Sequence, residues 1–143
     1  MAKSQFSLET LQEHVEATNL KGKNLTFLSD MTKDEILSLF RVAKILEPFA
    51  NNGLDLMKGK ELCSLFFEPS TRTRLSTETA MNKLGGSVIT EANPLENSSA
   101  AKDESLWDTL KVLSQYADIL VLRHPNSERV LKDLPAASIP VIS

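Results

Sequence analysis

The stretch Glu61-Leu62-Cys63-Ser64-Leu65-Phe66-Phe67-Glu68-Pro69-Ser70-Thr71-Arg72-Thr73-Arg74 decides the fold class. Its apolar run, residues 62–67, is too short for a helix and does not alternate with polar residues, which is typical of a strand covered on both faces. A turn at Glu68-Pro69-Ser70 then leads into a helix predicted over residues 71–84, which Gly85-Gly86 ends. The stretch therefore predicts a strand that passes directly into a helix.

The alternation of strands and helices continues on both sides of this stretch. Thr32-Lys33-Asp34-Glu35 is a capping-box pattern and predicts a helix over residues 31–46. Further strands are predicted over residues 87–90, 118–123 and 139–142, and further helices over residues 104–116 and 126–134. Alternating strands and helices imply right-handed crossovers, so the sequence predicts an α/β fold, an open parallel sheet with helices on both faces in three layers.

The composition describes a single globular domain and excludes several classes of protein. The chain has 143 residues, of which 41% are hydrophobic and 24% charged, and its net charge of −3 argues against a general nucleic-acid or membrane-surface binder. No apolar run reaches the roughly 18–20 residues of a membrane span, and no signal peptide is present. We therefore expect a cytoplasmic protein. Cys63 is the one cysteine, which excludes an internal disulfide, and we expect it to be a buried, inert thiol.

The domain is predicted to span residues 1–143, with a helical extension over about residues 1–26. The chain stops directly after a predicted strand, with no helix to close the last unit. Because this is an unusual place for an α/β protein to end, we expect the chain to be part of a longer protein.

The turn after the first strand is a candidate anion site. Ligands of open parallel sheets bind at the carboxyl ends of the strands, and a helix N-terminus offers unpaired N–H groups and a favourable dipole to an anion. Hydroxyl groups and one planar guanidinium can add donors for phosphate oxygens; they belong to Ser70, Thr71, Thr73 and Arg72. The alternative is an ordinary cap formed by Ser70 or Thr71, with two solvated arginines. Arginines in a first helical turn oppose the dipole, and this favours the bound anion.

Two further polar positions flank predicted strands. Arg123 closes the strand over residues 118–123 and projects from the same sheet edge, where it either completes an anion pocket or is simply exposed. His124 has no carboxylate partner nearby in sequence and is interpreted as structural. Lys102 lies in a loop of small residues and, judged from the residues alone, is a solvated lysine.

The run Phe66 to Ser76 closely resembles the carbamoyl-phosphate signature of the aspartate/ornithine carbamoyltransferase family. The family pattern is Phe, any residue, Glu or Lys, any residue, Ser, Gly or Thr, Arg, Thr, and every position fits. The resemblance extends from about Phe27 to Ser143. Ser98-Ser99-Ala100-Ala101-Lys102 and Arg123-His124-Pro125 resemble the aspartate branch, whereas residues 75–79 also occur in ornithine enzymes and Asp103 replaces a usual Gly.

The resemblance implies a role for each matching residue. The phosphate would be held by Ser70, Thr71, Arg72 and Thr73, the last two also reaching the carbamoyl or bridging oxygen. Arg123 would contact carbamoyl phosphate, and Lys102, with Ser98, would act from a neighbouring subunit, which implies a homotrimer. The catalytic residues implied are Arg72, Thr73, Lys102 and Arg123. No metal or cofactor is implied, and Glu68 is predicted to orient Arg72 or Arg74.

The resemblance implies transfer of the carbamoyl group from carbamoyl phosphate to L-aspartate in pyrimidine biosynthesis. The family's His-Pro-Thr-Gln segment and its C-terminal amino-acid-binding domain are absent from this sequence. We therefore expect the chain to be the N-terminal half, to bind carbamoyl phosphate or phosphate, and to be inactive alone, with L-aspartate binding only when the missing domain is present. Two alternatives stay open: an ornithine or other amino-acid carbamoyltransferase, and a non-catalytic anion-binding α/β assembly module.

Overall fold

A four-stranded parallel sheet forms the centre of the molecule. The computed structural model describes residues 8–92, Pro94 and residues 104–143. The strands lie in the order β2-β1-β3-β4 and have the bounds β1 (Glu61–Phe66), β2 (Ser87–Ala92), β3 (Ile119–Arg123) and β4 (Val141–Ile142). The predicted α/β fold with a parallel sheet is therefore confirmed.

Five α-helices are seen in the described residues. Their bounds are α1 (Leu8–Ala17), α2 (Lys33–Leu46), α3 (Thr71–Lys83), α4 (Leu106–Leu113) and α5 (Ser127–Asp133). Short 3-10 turns occupy Leu28–Asp30, Glu47–Phe49 and Leu134–Ala136. The helix predicted over residues 104–116 is shorter at both ends. It starts later because the Ser105 hydroxyl accepts the Asp108 N–H and caps α4, and it ends at Leu113, with Ser114 as the C-cap residue.

Helix α2 begins at the predicted capping box. The Thr32 hydroxyl accepts the Glu35 N–H at 3.3 Å, and the Glu35 carboxylate accepts the Thr32 N–H at 2.7 Å. Helix α1 packs against α2, and the Asn19 side chain donates to Glu35 at 2.7 Å. The N-terminal helix is thus attached to α2.

Strand β1 is buried on both faces, as its unbroken apolar run predicts. One face joins a core cluster with α4 and α5, which consists of Cys63, Leu65, Phe67, Leu106, Leu110, Leu120, Leu122, Val130 and Val141. The other face packs Leu62 and Phe66 against Met81 of α3 and Val121. Helix α3 therefore lies on one side of the sheet and α4 and α5 on the other, which gives the three predicted layers.

The turn from α3 to β2 depends on Gly85. Its φ is +85°, in the left-handed region that favours glycine, and a Cβ here would lie 2.9 Å from the Leu54 carbonyl oxygen. Gly85 therefore lets Leu54 and Asp55 lie directly against the end of α3. A larger residue at this position needs the backbone to move.

The free edge of β4 is covered by a segment from early in the chain. The Leu25 N–H donates to the Val141 carbonyl at 2.8 Å, and the Ser143 N–H donates to the Leu25 carbonyl at 3.0 Å. The Asn24 side chain accepts the Val141 N–H at 2.9 Å. Among the described helices, none combines the length and apolar character that a bilayer crossing requires.

Candidate functional site

The carboxyl ends of β1 and β3 lie side by side. Phe66 is the register partner of Arg123, and the Phe67 N–H donates to the Arg123 carbonyl oxygen at 2.8 Å. The turn that leads into α3 therefore starts next to the residue that ends β3. The structure brings Arg123 to the same sheet edge as the Ser70 turn.

The N-terminus of α3 keeps its hydrogen-bond donors free within the described residues. Ser70 is the N-cap residue, with φ −154° and ψ 82°, but its side chain makes no capping hydrogen bond. The described residues supply no partner for the hydroxyls of Thr71 and Thr73 or for the first N–H groups of the helix. The Ser70 carbonyl accepts the Arg74 N–H at 3.1 Å, so the helix itself begins normally. The alternative, an ordinary cap formed by the side chain of Ser70 or Thr71, is therefore not what the structure shows.

The two arginines of the first turn have different surroundings. Arg74 lies 3.4 Å from the Glu78 carboxylate, which also accepts the Thr90 hydroxyl at 3.0 Å and so joins α3 to β2. Arg72 is exposed, and no carboxylate of the described residues pairs with it. Arg74 is therefore engaged within the fold, and Arg72 is available to a ligand.

Glu68 pairs with Arg123, and this contact differs from the sequence-based expectation. The Arg123 Nε lies 3.4 Å from the Glu68 Oε2, with side chains 46% and 40% exposed. The prediction that Glu68 orients Arg72 or Arg74 was wrong, because β3 lies next to β1 and Arg123 at its end forms the ion pair with Glu68. An ion pair this exposed contributes about 0–1 kcal/mol, so a dianion can displace Glu68 at little cost. Sequence carries no signal for this pair, since it depends on which strand lies next to β1.

His124 makes its contacts within the fold. Its ring meets Phe67 edge-on, with centroids 4.8 Å apart, and its Nδ1 accepts the Asn126 N–H at 2.9 Å. Burial lowers the pKa of His124, which favours the neutral ring. These contacts agree with a structural interpretation. Cys63 is buried as expected, and burial raises the pKa of its thiol to about 11.

The predicted loop residues Ser98 and Lys102 lie outside the described residues, as does Asp103. In the described ranges, no group of three or more His, Cys, Asp or Glu side chains could hold a metal ion. The described part of the candidate site therefore consists of the α3 N-terminus, Arg123 and Glu68.

A comparison with protein families decides the lineage. The family described as "Aspartate/ornithine carbamoyltransferase, carbamoyl-P binding domain" matches residues 23–143. The chain belongs to this family. The matched region holds the whole sheet, α3 and both sides of the candidate site, so the signature at residues 66–73 lies within a carbamoyltransferase domain.

Individual carbamoyltransferases resemble the chain closely over part of their length. The ureidoglycine carbamoyltransferase of Rubrobacter xylanophilus is 47% identical over 137 residues, which is 96% of this chain and 40% of that protein. The aspartate carbamoyltransferase catalytic subunit of Methanocaldococcus jannaschii is also 47% identical, over 123 residues, 85% of this chain and 40% of that protein. The chain thus spans about two fifths of these relatives.

A solved structure gives the same result for the fold. The aspartate transcarbamoylase of Trypanosoma cruzi, in complex with carbamoyl phosphate, superposes with a TM-score of 0.81 at 36% identity. The match covers 88% of this chain and 39% of the T. cruzi chain. The α/β architecture is therefore that of an aspartate transcarbamoylase over the shared region.

Proposed function

We propose that the chain is the carbamoyl-phosphate-binding half of an aspartate carbamoyltransferase, which transfers the carbamoyl group to L-aspartate in pyrimidine biosynthesis in the cytoplasm. The observation that carries the proposal is that the hydrogen-bond donors at the N-terminus of α3, beside Arg123, have no partner among the described residues. A helix N-terminus with free N–H groups and an unpaired guanidinium is suited to a phosphate dianion. The family signature lies on these same residues.

The proposed chemistry needs positive charge and orientation. An amine attacks the carbonyl carbon of carbamoyl phosphate, the bond between that carbon and the bridging oxygen breaks, and phosphate leaves with the electron pair and takes up the proton that the amine loses. Arg72 and Thr73 stabilise the charge at the bridging and carbonyl oxygens, while Ser70 and Thr71 hold the phosphate. Arg123 exchanges Glu68 for the dianion when the ligand binds, because its present ion pair is exposed and weak.

The proposal includes a partner subunit and a further domain. Lys102, with Ser98, would enter the site of a neighbouring subunit, so that a working site needs a homotrimer. L-aspartate would need an amino-acid-binding domain in addition to residues 1–143, which span about two fifths of the relatives' length. The isolated chain is therefore proposed to bind carbamoyl phosphate or phosphate and to be inactive.

A second acceptor, ureidoglycine, is favoured by one observation. The match to the R. xylanophilus enzyme covers 137 of the 143 residues of this chain and so leaves 6 residues unmatched. Because α1 has 10 residues, at least part of this helix lies within the match. The family match begins only at residue 23, and the M. jannaschii aspartate enzyme covers 85% of the chain. The sequence similarity to the ureidoglycine enzyme therefore includes residues of α1, which lie outside the matched family domain.

The anion site is tested by isothermal titration calorimetry of the chain with inorganic phosphate, carbamoyl phosphate and a bisubstrate phosphonate. We expect all three to bind, and the substitution Arg72→Ala to weaken each. Arg41→Ala removes another exposed arginine, on α2, and is the matched control. Indifference of the chain to all three ligands would favour a non-catalytic module.

The acceptor is tested by product formation. The purified chain, given carbamoyl phosphate and either L-aspartate or ureidoglycine, should form no carbamoylated product, and steady turnover would contradict the proposal that it is one half of an enzyme. The longest natural product that carries this chain is then assayed with L-aspartate, ureidoglycine and L-ornithine. Turnover with L-aspartate supports the first proposal, and turnover with ureidoglycine supports the second. Turnover with L-ornithine alone would contradict both.

A further inference from the structure

His124 lies between the candidate anion site and α5, and its contacts join the two. We propose that His124 is a positioning residue, whose ring holds the end of β3 so that Arg123 faces the anion bound at the N-terminus of α3. The inference rests on the proposed function, since it concerns how that site is kept in place. It adds a residue that the family signature at positions 66–73 does not contain.

The first observation is that Phe67 contacts two consecutive residues at the carboxyl end of β3, Arg123 and His124. Its N–H donates to the Arg123 carbonyl at 2.8 Å, and its ring meets the His124 ring at 4.8 Å with an interplanar angle of 62°. An edge-to-face pair of this geometry contributes to stability beyond the area that it buries. Because Phe67 begins the turn to Ser70, the two contacts fix Arg123 relative to that turn.

The second observation is that a side-chain-to-backbone hydrogen bond sets the direction of the chain after Arg123. The His124 Nδ1 accepts the N–H of Asn126, two residues on, across Pro125. This is the arrangement that an Asn or Asp side chain makes in an Asx turn. Asn126 in turn caps α5, since its side chain accepts the Arg129 N–H at 2.9 Å. A continuous set of contacts therefore connects α5, His124 and Arg123.

The third observation is that one side of His124 borders open space. His124 lines a cavity of about 150 Å³, together with Thr26, Phe27, Ser127, Val130, Leu131 and Ser143. Since space remains on this side, the ring orientation depends on the Phe67 contact and on the hydrogen bond from Asn126. Loss of either contact should let the ring turn and Arg123 move.

The charge state of the ring agrees with this role. Burial and the nearby Arg129 lower the pKa of His124, whereas Asn126 and the carboxylates of Glu68 and Asp133 oppose that shift. The neutral ring keeps Nδ1 as an acceptor for the Asn126 N–H. The Asn126 carbonyl lies 3.2 Å from the same nitrogen, so a protonated ring would exchange one partner for the other.

Two variants separate the contacts that His124 makes. His124→Phe keeps a ring against Phe67 and removes the acceptor, and His124→Asn keeps an acceptor for the Asn126 N–H and removes the ring. Each is made in the unmodified chain and in Arg123→Ala, and inorganic phosphate affinity is measured by isothermal titration calorimetry. We expect His124→Phe to weaken phosphate binding about threefold to tenfold, as coupled neighbours do. His124→Asn should weaken binding less.

The result that identifies positioning is the comparison between backgrounds. In Arg123→Ala, neither His124 variant should weaken phosphate binding further, because the guanidinium that His124 positions is gone. An unchanged affinity of His124→Phe, or an equal loss in both backgrounds, overturns the inference. Circular dichroism shows whether His124→Phe folds. If it does not, His124→Asn is compared between the unmodified chain and Arg123→Ala in the same way. An unchanged phosphate affinity of His124→Asn then overturns the inference. Absence of phosphate binding by the unmodified chain contradicts the proposed function and, with it, the inference, whereas unaltered binding in the variants contradicts the inference alone.

Discussion

The two ends of strands β1 and β3 use their polar groups in opposite ways. At the amino ends, the Lys60 ammonium lies 2.7 Å from the Asp118 carboxylate, which also accepts the Glu61 N–H at 2.9 Å. At the carboxyl ends, the Ser70 hydroxyl and the Arg72 guanidinium have no partner in the described part of the chain. The same sheet thus has one end where polar groups satisfy each other and one end where, beside the exposed Glu68–Arg123 pair, donors stay available.

This difference between the two ends indicates that groups at the amino ends act on stability and groups at the carboxyl ends act on binding. Paired groups at the amino ends stabilise the fold, and unpaired donors at the carboxyl ends contribute nothing to it until an anion arrives. Changes at the two ends should therefore have different consequences. Four substitutions test this separation.

The largest effect is expected at the carboxyl ends, from Arg72→Ala. In the longest natural product that carries this chain, the loss of one charged donor should cost about 2.7–4 kcal/mol of transition-state stabilisation, because Arg72 is proposed to act where negative charge develops. The melting temperature should stay unchanged, since Arg72 has no partner among the described residues. Steady-state kinetics and thermal unfolding measure the two quantities. A variant with near-normal turnover would remove Arg72 from the proposed role.

Next in size is a loss of stability from Gly85→Ala, at the turn that enters β2 from its amino end. The left-handed backbone should cost about 1–2 kcal/mol, and the contact with the Leu54 carbonyl adds to that. Gly59→Ala is the matched control, because Gly59 also has a positive φ, +75°, but a Cβ there would meet nothing within 4 Å. The free energy of unfolding, measured in urea, should be lower for Gly85→Ala than for Gly59→Ala. Phosphate affinity should be unchanged in both, and a weakened affinity would show that the two ends are not independent.

A smaller effect, dependent on pH, is expected from Asp118→Asn. The hydrogen bond from Lys60 lowers the pKa of Asp118 from its usual value of 3.8, so its contribution to stability is complete above that value and is lost as the pH falls through the lowered pKa. The unfolding free energy of Asp118→Asn should therefore depend less on pH below about 4 than that of the unmodified chain. Lys60→Met should change this dependence in the same direction. Identical pH profiles of all three proteins would contradict the role of the pair.

The smallest effect is expected from Glu68→Gln, and it has the opposite sign. Removing the negative charge frees Arg123 for the anion, and because exposed ion pairs contribute about 0–1 kcal/mol, phosphate affinity should rise by no more than about fivefold. Glu128→Gln, on α5, makes the same change in net charge without touching Arg123 and is the control. An equal rise in both variants would assign the effect to net charge rather than to the ion pair.

Local signals in the sequence predicted most of the fold. The capping box at Thr32 placed the start of α2 within two residues, and the unbroken run 62–67 predicted a strand buried on both faces. Such patterns depend on neighbours a few residues apart, which a single sequence displays directly. The ends of α4 were less well predicted, because the cap at Ser105 competes with an apolar pattern that extends beyond the helix.

The candidate site was predicted less completely, for a physical reason. The anion donors at Ser70 and Arg72 follow from a local turn, whereas the Glu68–Arg123 pair requires the strand order β2-β1-β3-β4. Strand order is set by packing over the whole chain and leaves no mark at one position. The roles of the candidate residues, including Lys102, stay predictions.

The hydrogen bonds that join Leu25 to β4 have a consequence for synthesis. Asn24 and Val141 are 117 positions apart, so the outer edge of the sheet forms only after residue 143 has left the ribosome. Contacts of such long range slow folding, because a large loop must close before they contribute. The nascent chain therefore carries an open strand edge until residues 141–143 have emerged, and a chaperone that shields β-edges should crosslink to it before that stage.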